Sequence, residues 1–446
     1  MLIKNTLNVA ALPKQQVSLR LFWQFATLAL LVTGYAGYYL CRSDLSVALP
    51  MISAELASKG MDPAVARMRL GSIASLGVLA YALAKFASGG IADLFGGRRN
   101  FLVGMGGSVL FTFLFALSGG VVPLMTMVWI GNRAIQATGW AGMVKICSRW
   151  FSSTTYGTVM AIISLSYLFG DAAARQFMAV LIGWGFGWRE VFYIAGGTLF
   201  GIWLLTFILL KETPLDIGET EPGINPRNLF GAEGEKPSPE GLLQLLRPLL
   251  SSREFGLACF LSLGFTLVRE TFNLWTPTYF TQAVGLSAAD AAGKSALFPF
   301  FGGVSVLVLG ILSDRLGGAS RAVMMFAGLL GSGAVLMILA FGNFGRLSEW
   351  PVVLVAAIAF LLVGPYSFLA GAVAMDFGGR QGSGTASGFI DGIGYLGGVL
   401  AGGYHSAADH GFRMGRSFRG TGQCLLRLEH RGPSLRREAA PRKLKR

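Results

Sequence analysis

Eleven apolar stretches dominate this sequence and leave it few folds other than a bundle of membrane-crossing helices. They run near residues 21–51, 70–92, 101–119, 123–147, 157–181 and 191–210, then near 254–282, 295–312, 321–342, 351–374 and 384–404. Each approaches or exceeds the roughly 20 apolar residues that span a bilayer. A chain in lipid must satisfy its backbone polar groups internally, which selects helices. Only 13% of the 446 residues are charged, where a soluble protein carries about 25%. The 62 glycines suit close helix crossings. The expected fold is an all-α polytopic membrane protein.

One residue breaks the first stretch. In GYAGYYLCRSDLSVALP, Gly34 to Pro50, Arg42 sits where the apolar pattern runs on to either side. A guanidinium cannot lose its proton, so inside a membrane it needs a water-lined cavity or an anion. A second cation, Arg269, stands in the seventh stretch, roughly 227 positions later. Two guanidiniums facing one cavity can each give a bidentate pair of hydrogen bonds to phosphate or carboxylate.

The pairing of the first and seventh stretches rests on an internal repeat. GGIADLFGGRR (Gly89 to Arg99) follows the second stretch, and GILSDRLGGASR (Gly310 to Arg321) follows the eighth. Both read Gly-x3-Asp, then a glycine turn and basic residues, as expected of two parallel halves of a transporter. Asp93 and Asp314 can accept hydrogen bonds from helix N-termini or pair with arginines. With Arg98, Arg99 and Arg315 they are expected to form a conformational latch within each half. The chain divides into a six-helix half (1–210), a polar linker (211–250), a five-helix half (251–404) and a basic tail (405–446).

The paired motif resembles the signature of the major facilitator superfamily, and RAIQATG (Arg133 to Gly139) is similar to its fourth-helix motif. GYAGYYLCR and LVRETFNLWTPTYF (Leu267 to Phe280) look like the organophosphate:inorganic phosphate antiporters. AYALAKF (Ala80 to Phe86), GWAGMVKICSRWF (Gly139 to Phe151) and GTASGFIDGIGYLGG (Gly384 to Gly398) extend that likeness through about Gly403. The resemblance implies two pseudo-symmetric halves, twelve helices where about eleven are found here, and a substrate site between the halves. It implies that Arg42 and Arg269 bind a phosphate group, that Lys85 adds positive potential, and that Tyr35 and Tyr39 line the cavity. Tyr35 and Tyr39 stand at i and i+4 on one face; Tyr38, on another, is expected to pack. Tyr167 takes the place of a histidine of the glycerol-phosphate members, and Ser43 that of a lysine found in several.

The function implied is transport of a small organic anion, a sugar phosphate or glycerol phosphate, in exchange for inorganic phosphate by alternating access. One alternative is proton-coupled symport of an organic carboxylate, with Glu270 as proton carrier; another is a membrane sensor of sugar phosphate. Glu270 follows Arg269 directly, so its side chain should leave the helix about 100° away. Asp171 and Arg175, at i and i+4, are expected to pair; Asp391 lies in the eleventh stretch.

No enzyme signature stands beside these. The glycine-rich runs lie inside apolar helices rather than after strands, so no phosphate loop is expected. All three histidines (His405, His410 and His430) fall in the tail, so no catalytic or metal-binding histidine and no cofactor is expected in the membrane core. Cys41, Cys147, Cys259 and Cys424 have no metal spacing. The net charge of +14 does not indicate nucleic-acid binding, because the tail supplies eight of those charges and short loops most of the rest. Arg98, Arg99, Lys145, Arg149, Arg315, Arg321 and Arg380 fall on one side with the linker. That places the N-terminus and linker in the cytoplasm; the chain is expected to be a monomer in the cell inner (plasma) membrane. The tail reads as a basic non-membrane segment in place of a twelfth helix, either the product of a changed reading frame near Gly403 or a cytoplasmic tail that binds anionic lipid with the eleventh stretch re-entrant.

Overall fold

The computed structural model describes residues 14–223, 225–231, 239, 241–345 and 347–408. The tail beyond residue 408, which carries most of the sequence expected to follow a change of frame near Gly403, lies outside the described residues. Regular structure among the described residues is helical throughout.

In chain order the helices are α1 (Lys14–Tyr38), α2 (Leu40–Ser58), α3 (Pro63–Phe95), α4 (Gly97–Leu117), α5 (Val122–Gln136), α6 (Thr138–Trp150), α7 (Tyr156–Gly183) and α8 (Trp188–Leu209). After the linker come α9 (Leu242–Ser251), α10 (Arg253–Tyr279), α11 (Ala288–Ser295), α12 (Leu297–Arg315), α13 (Ser320–Phe341), α14 (Trp350–Phe368) and α15 (Ala374–Ala408). Nine helical stretches among the described residues are long and apolar enough to cross a membrane. The last of them, Trp350–Ala401, turns back at Gly379 (φ 55°, ψ −148°). Ser387 Oγ accordingly donates to the Ala370 carbonyl 17 residues earlier, a contact that a straight helix would forbid. Counting that stretch as two and adding the segmented Val122–Trp150 brings the nine to eleven, as the apolar pattern requires.

Several breaks in these helices have visible causes. Pro277 and Pro365 remove ladder donors from α10 and α14, and each is followed by a short π-helical turn, Phe280–Val284 and Leu369–Val373. The first half packs around Tyr38, Phe101, Met105 and Trp150. The second packs around Phe272, Phe298, Val306 and Val355. Phe22, Val103, Leu204, Ile208, Phe326 and Leu330 project from the outside of the bundle, as lipid-facing side chains do.

Two helix pairs cross between the halves in backbone contact, and both crossings are built on glycine. Where α3 meets α15, a Cβ on Gly388 would lie 2.5 Å from the Lys85 carbonyl oxygen. Where α7 meets α12, a Cβ on Gly310 would lie 2.8 Å from the Gly157 carbonyl oxygen. Gly388→Val is therefore expected to force α3 from α15 and destabilise the detergent-purified protein by about 1–3 kcal/mol in thermal or denaturant unfolding. Gly333→Ala, at a position with open space around it, should leave the transition unchanged.

Candidate functional site

Arg42 lies in the first turn of α2, just past the break at Tyr39. Its Nε donates to Gln136 Oε1 (3.1 Å) and its Nη1 to the Tyr39 hydroxyl (3.2 Å). The guanidinium stands over the rings of Tyr39 (4.8 Å) and Tyr81 (4.5 Å). Its Nη2 has no hydrogen-bond partner among the described residues. Gln136 is fixed in turn: its amide donates to the Cys41 carbonyl (2.9 Å) and Asn132 Oδ1 (2.5 Å), while Oε1 also accepts from Arg133 Nη1 (3.0 Å). Tyr81 carries three cations on one ring, with Arg133 at 4.8 Å and Lys85 Nζ at 4.7 Å joining Arg42. Each such contact is worth from about 0.5 to 2 kcal/mol when water is excluded.

The second half repeats the device with different parts. Arg269 on α10 stands over the Tyr366 ring of α14 at 4.4 Å, and its Nε has no hydrogen-bond partner among the described residues. Its Nη2 donates to Glu270 Oε1 at 2.5 Å. The expected 100° separation of these neighbours is overcome by side-chain length, since both chains bend round the helix to meet. Glu270, one-third exposed, is thus the counter-ion of Arg269 in this state. Tyr395 on α15 lies within electrostatic reach of both guanidiniums, and Tyr167 within reach of Arg269. Tyr167 and Tyr35 both set their rings against Trp140, at 5.9 and 5.5 Å. Tyr38 packs instead, its hydroxyl donating to the Phe101 carbonyl at 2.7 Å.

Lys85 is not at the bundle surface. Its Nζ lies 2.6 Å from Asp391 Oδ2, with the lysine side chain 1% exposed, so the pair ties α3 to α15. Asp171 and Arg175 do pair, at 2.9 Å. Asp171 also accepts from the Ser43 hydroxyl and Arg175 donates to Ser46 Oγ (3.1 Å), fastening α7 to α2.

At the linker end the two repeat aspartates accept from helix starts of the opposite half and also hold a cation of their own half; the sequence expectation is corrected in which cations those are. Asp93, ending α3, accepts from Gly384 N (3.1 Å), Thr385 N (2.6 Å) and Thr385 Oγ1 (2.7 Å) on α15. Asp314, ending α12, accepts from Gly157 N (2.9 Å) and Thr158 N (2.6 Å) at the start of α7. Each carboxylate caps a helix of the opposite half, where the dipole favours negative charge. Their cations are Lys145 (3.0 Å) and Arg321 (3.0 Å), not the arginines next to them in sequence. Arg98 donates to the Leu210 and Phe207 carbonyls at 2.6 and 2.5 Å, sealing α4 to α8. Arg99 and Arg315 hold no ion pair among the described residues. Lys145 also donates to the Arg380 and Gln381 carbonyls, and Glu221 of the linker bridges Arg149 (2.6 Å) and Arg380 (3.0 Å). Away from the linker, Glu55 holds Lys59 and Arg189, and Lys294 holds Glu349, each set within one half.

The profile of the Major Facilitator Superfamily matches residues 31–402. The chain belongs to this superfamily. A probable hexose phosphate transport protein of Chlamydia pneumoniae is 27% identical over 395 residues, 85% of this chain and 84% of that protein. The glycerol-3-phosphate transporter of Bacillus subtilis is 27% identical over 379 residues, 82% and 81% of the two chains. The membrane sensor protein UhpC of Escherichia coli is 25% identical over 388 residues, 85% of each. Among solved structures, the Escherichia coli fucose:proton symporter superposes with a TM-score of 0.65 over 90% of this chain and 96% of its own, at 14% identity. That likeness establishes the fold alone.

Several members of this candidate site escaped sequence reasoning. Tyr81, Gln136, Tyr366 and Tyr395 bear no charge, and inside apolar runs they look like packing. A signal existed for Tyr81, which precedes Lys85 by four residues and so shares its helix face. Gln136 lies in the quoted fourth-helix motif, three residues from Arg133.

The crossed caps generate a measurable expectation. Losing a helix cap costs about 0.5–2 kcal/mol, so Asp93→Ala with Asp314→Ala should favour separation of the halves at the linker end by roughly tenfold or more. Spin labels at exposed Thr154 and Leu316 should show a longer-distance population in the double variant. An unchanged distance distribution would mean the caps do not hold the halves together.

Proposed function

We propose that this protein carries an organophosphate anion across the membrane in exchange for inorganic phosphate, with Arg42 and Arg269 holding the shared phosphate group. The observation that carries this reading is the matched pair of guanidiniums. Each lies on the first membrane segment of its half, is set on tyrosine rings, and keeps an N–H without a hydrogen-bond partner among the described residues. A buried donor left unmade is costly, and a phosphate oxygen would satisfy it. The hexose phosphate and glycerol-3-phosphate transporters among the relatives support the substrate class. Glu270 would yield Arg269 to the substrate. Lys85, Tyr35, Tyr39 and Tyr167 would complete the lining, with Lys85 adding positive potential while held by Asp391.

Exchange follows from charge. Arg42, which has no counter-ion, and Arg269, once Glu270 yields it, resist passage through a closed, dry state without an anion, so the halves, residues 1–210 and 251–404, would reorient when an anion screens them. The linker end, rich in arginine and lysine, would face the cytoplasm of the inner membrane, and the latched state would open to the opposite side. The sensor among the relatives favours a second reading, in which the same site binds sugar phosphate and signals without flux.

Vesicles loaded with phosphate and containing the purified protein should take up labelled glycerol 3-phosphate or glucose 6-phosphate only while internal phosphate is present. Binding with no uptake would favour the sensor, and no binding of either compound or of phosphate would overturn the anion site. R42K should lower exchange by at least about tenfold, because a charge-assisted hydrogen bond is worth about 1.5–3 kcal/mol and an ammonium cannot reproduce the fork.

A further inference from the structure

Asp44 is the buried acid that the site as described leaves unused. It follows Arg42 by two residues on α2 and so leaves the helix on nearly the opposite side. Its side chain is 0% exposed. One carboxyl oxygen accepts the Leu45 amide at 2.7 Å; the other, Oδ2, has no hydrogen-bond partner among the described residues. The other buried aspartates in the described residues, Asp93, Asp376 and Asp391, each hold a lysine or arginine. Asp44 holds none.

Its surroundings are polar but leave it one charged neighbour. Arg133 on α5 is within electrostatic reach, but its Nη1 is committed to Gln136. The α4 helix offers Thr112, whose hydroxyl serves the Cys41 thiol and Asn132. On α1 the titratable groups are Tyr35 and Tyr38, with Tyr39 at the junction. On α3, Tyr81 underlies the cations and Lys85 is engaged with Asp391; on α7, Asp171 and Arg175 hold each other. The α8 helix contributes Arg189, bound to Glu55 at the far end of α2. Arg42 and Arg133 share Gln136 Oε1, so a chain of contacts leads from the anion site to the one charge near Asp44.

We infer that Asp44 is a proton-binding site coupled to the anion site through Gln136 and Arg133, so that a proton enters with each anion. An ionised carboxylate without a partner is costly in such surroundings, whereas the acid form is not. In the empty site the charge of Arg133, undiminished by any anion at Arg42, favours the ionised form. A bound anion cancels that field, and the carboxyl takes a proton from water onto Oδ2. When the anion leaves, the proton returns to water. By linkage, whatever the anion does to the proton's affinity the proton does to the anion's. The inference rests on Arg42 as an anion site.

Calorimetric titration of the purified protein with inorganic phosphate, in buffers of different ionisation enthalpy, counts protons taken up per phosphate bound. The same count on Asp44→Asn cancels the protons that belong to phosphate itself. Wild type should exceed Asp44→Asn by up to about one proton per site, and Asp44→Glu should restore the difference. Equal counts with binding intact would overturn this inference alone; no binding to wild type would bring down the anion site and this inference together. Should Asp44→Asn not fold, infrared difference spectra of the wild type with and without phosphate decide the matter. A protonated-carboxyl band that grows on phosphate addition, and is shifted in Asp44→Glu, supports the inference; no such band overturns it.

Discussion

A guanidinium that cannot shed its charge governs the architecture around it. Arg42 and Arg269 stand inside an apolar bundle, and everything in contact with them reduces the cost of keeping them there. Tyrosine faces supply quadrupole attraction without adding a net charge, Gln136 supplies an oriented carbonyl, and Glu270 supplies a counter-charge on one side only. The asymmetry matters. Arg42 is solvated by neutral groups and Arg269 by a carboxylate. On the proposed function, an anion would displace nothing from the first and would compete with Glu270 for the second.

Much of this was legible because membranes make charge and backbone expensive. The eleven spans follow from apolar run length, the halves from the doubled Gly-x3-Asp motif, and the two arginines from their cost in lipid. What stayed hidden depends on how distant segments dock. The partners of Asp93 lie 291 and 292 residues away on α15, and no local pattern announces them. The adjacent Arg98 and Arg315 were the natural candidates by proximity in sequence, but helix packing within each half brings Lys145 and Arg321 to the aspartates instead. The Arg269–Glu270 pair escaped for a different reason: helix geometry fixes the direction in which Cβ leaves, not where a long side chain ends.

The Lys85–Asp391 pair and the glycine crossing beside it put opposite demands on the same seam. Backbones that touch at Gly388 and Lys85 pack too closely to leave room for side chains between them, while the ion pair holds charge in a place with 1% exposure on the lysine. Parting α3 from α15 uncovers both charges together. An ion pair buried at such a seam costs desolvation when made and strands two ions when broken, so it makes the movement abrupt rather than gradual.

The crossed caps carry a consequence for how such a chain arises. The last residues of α3 grip α15 while the equivalent residues of α12 grip α7, the reciprocal pattern of an isologous twofold contact. In a half-length ancestor that paired with its own copy, one aspartate facing one helix start would have produced both grips at once. Fusion of two copies by a linker would then preserve a lock already present in duplicate. Each half would then have been free to diverge elsewhere, provided that the two aspartates and the helix starts they hold stayed in register.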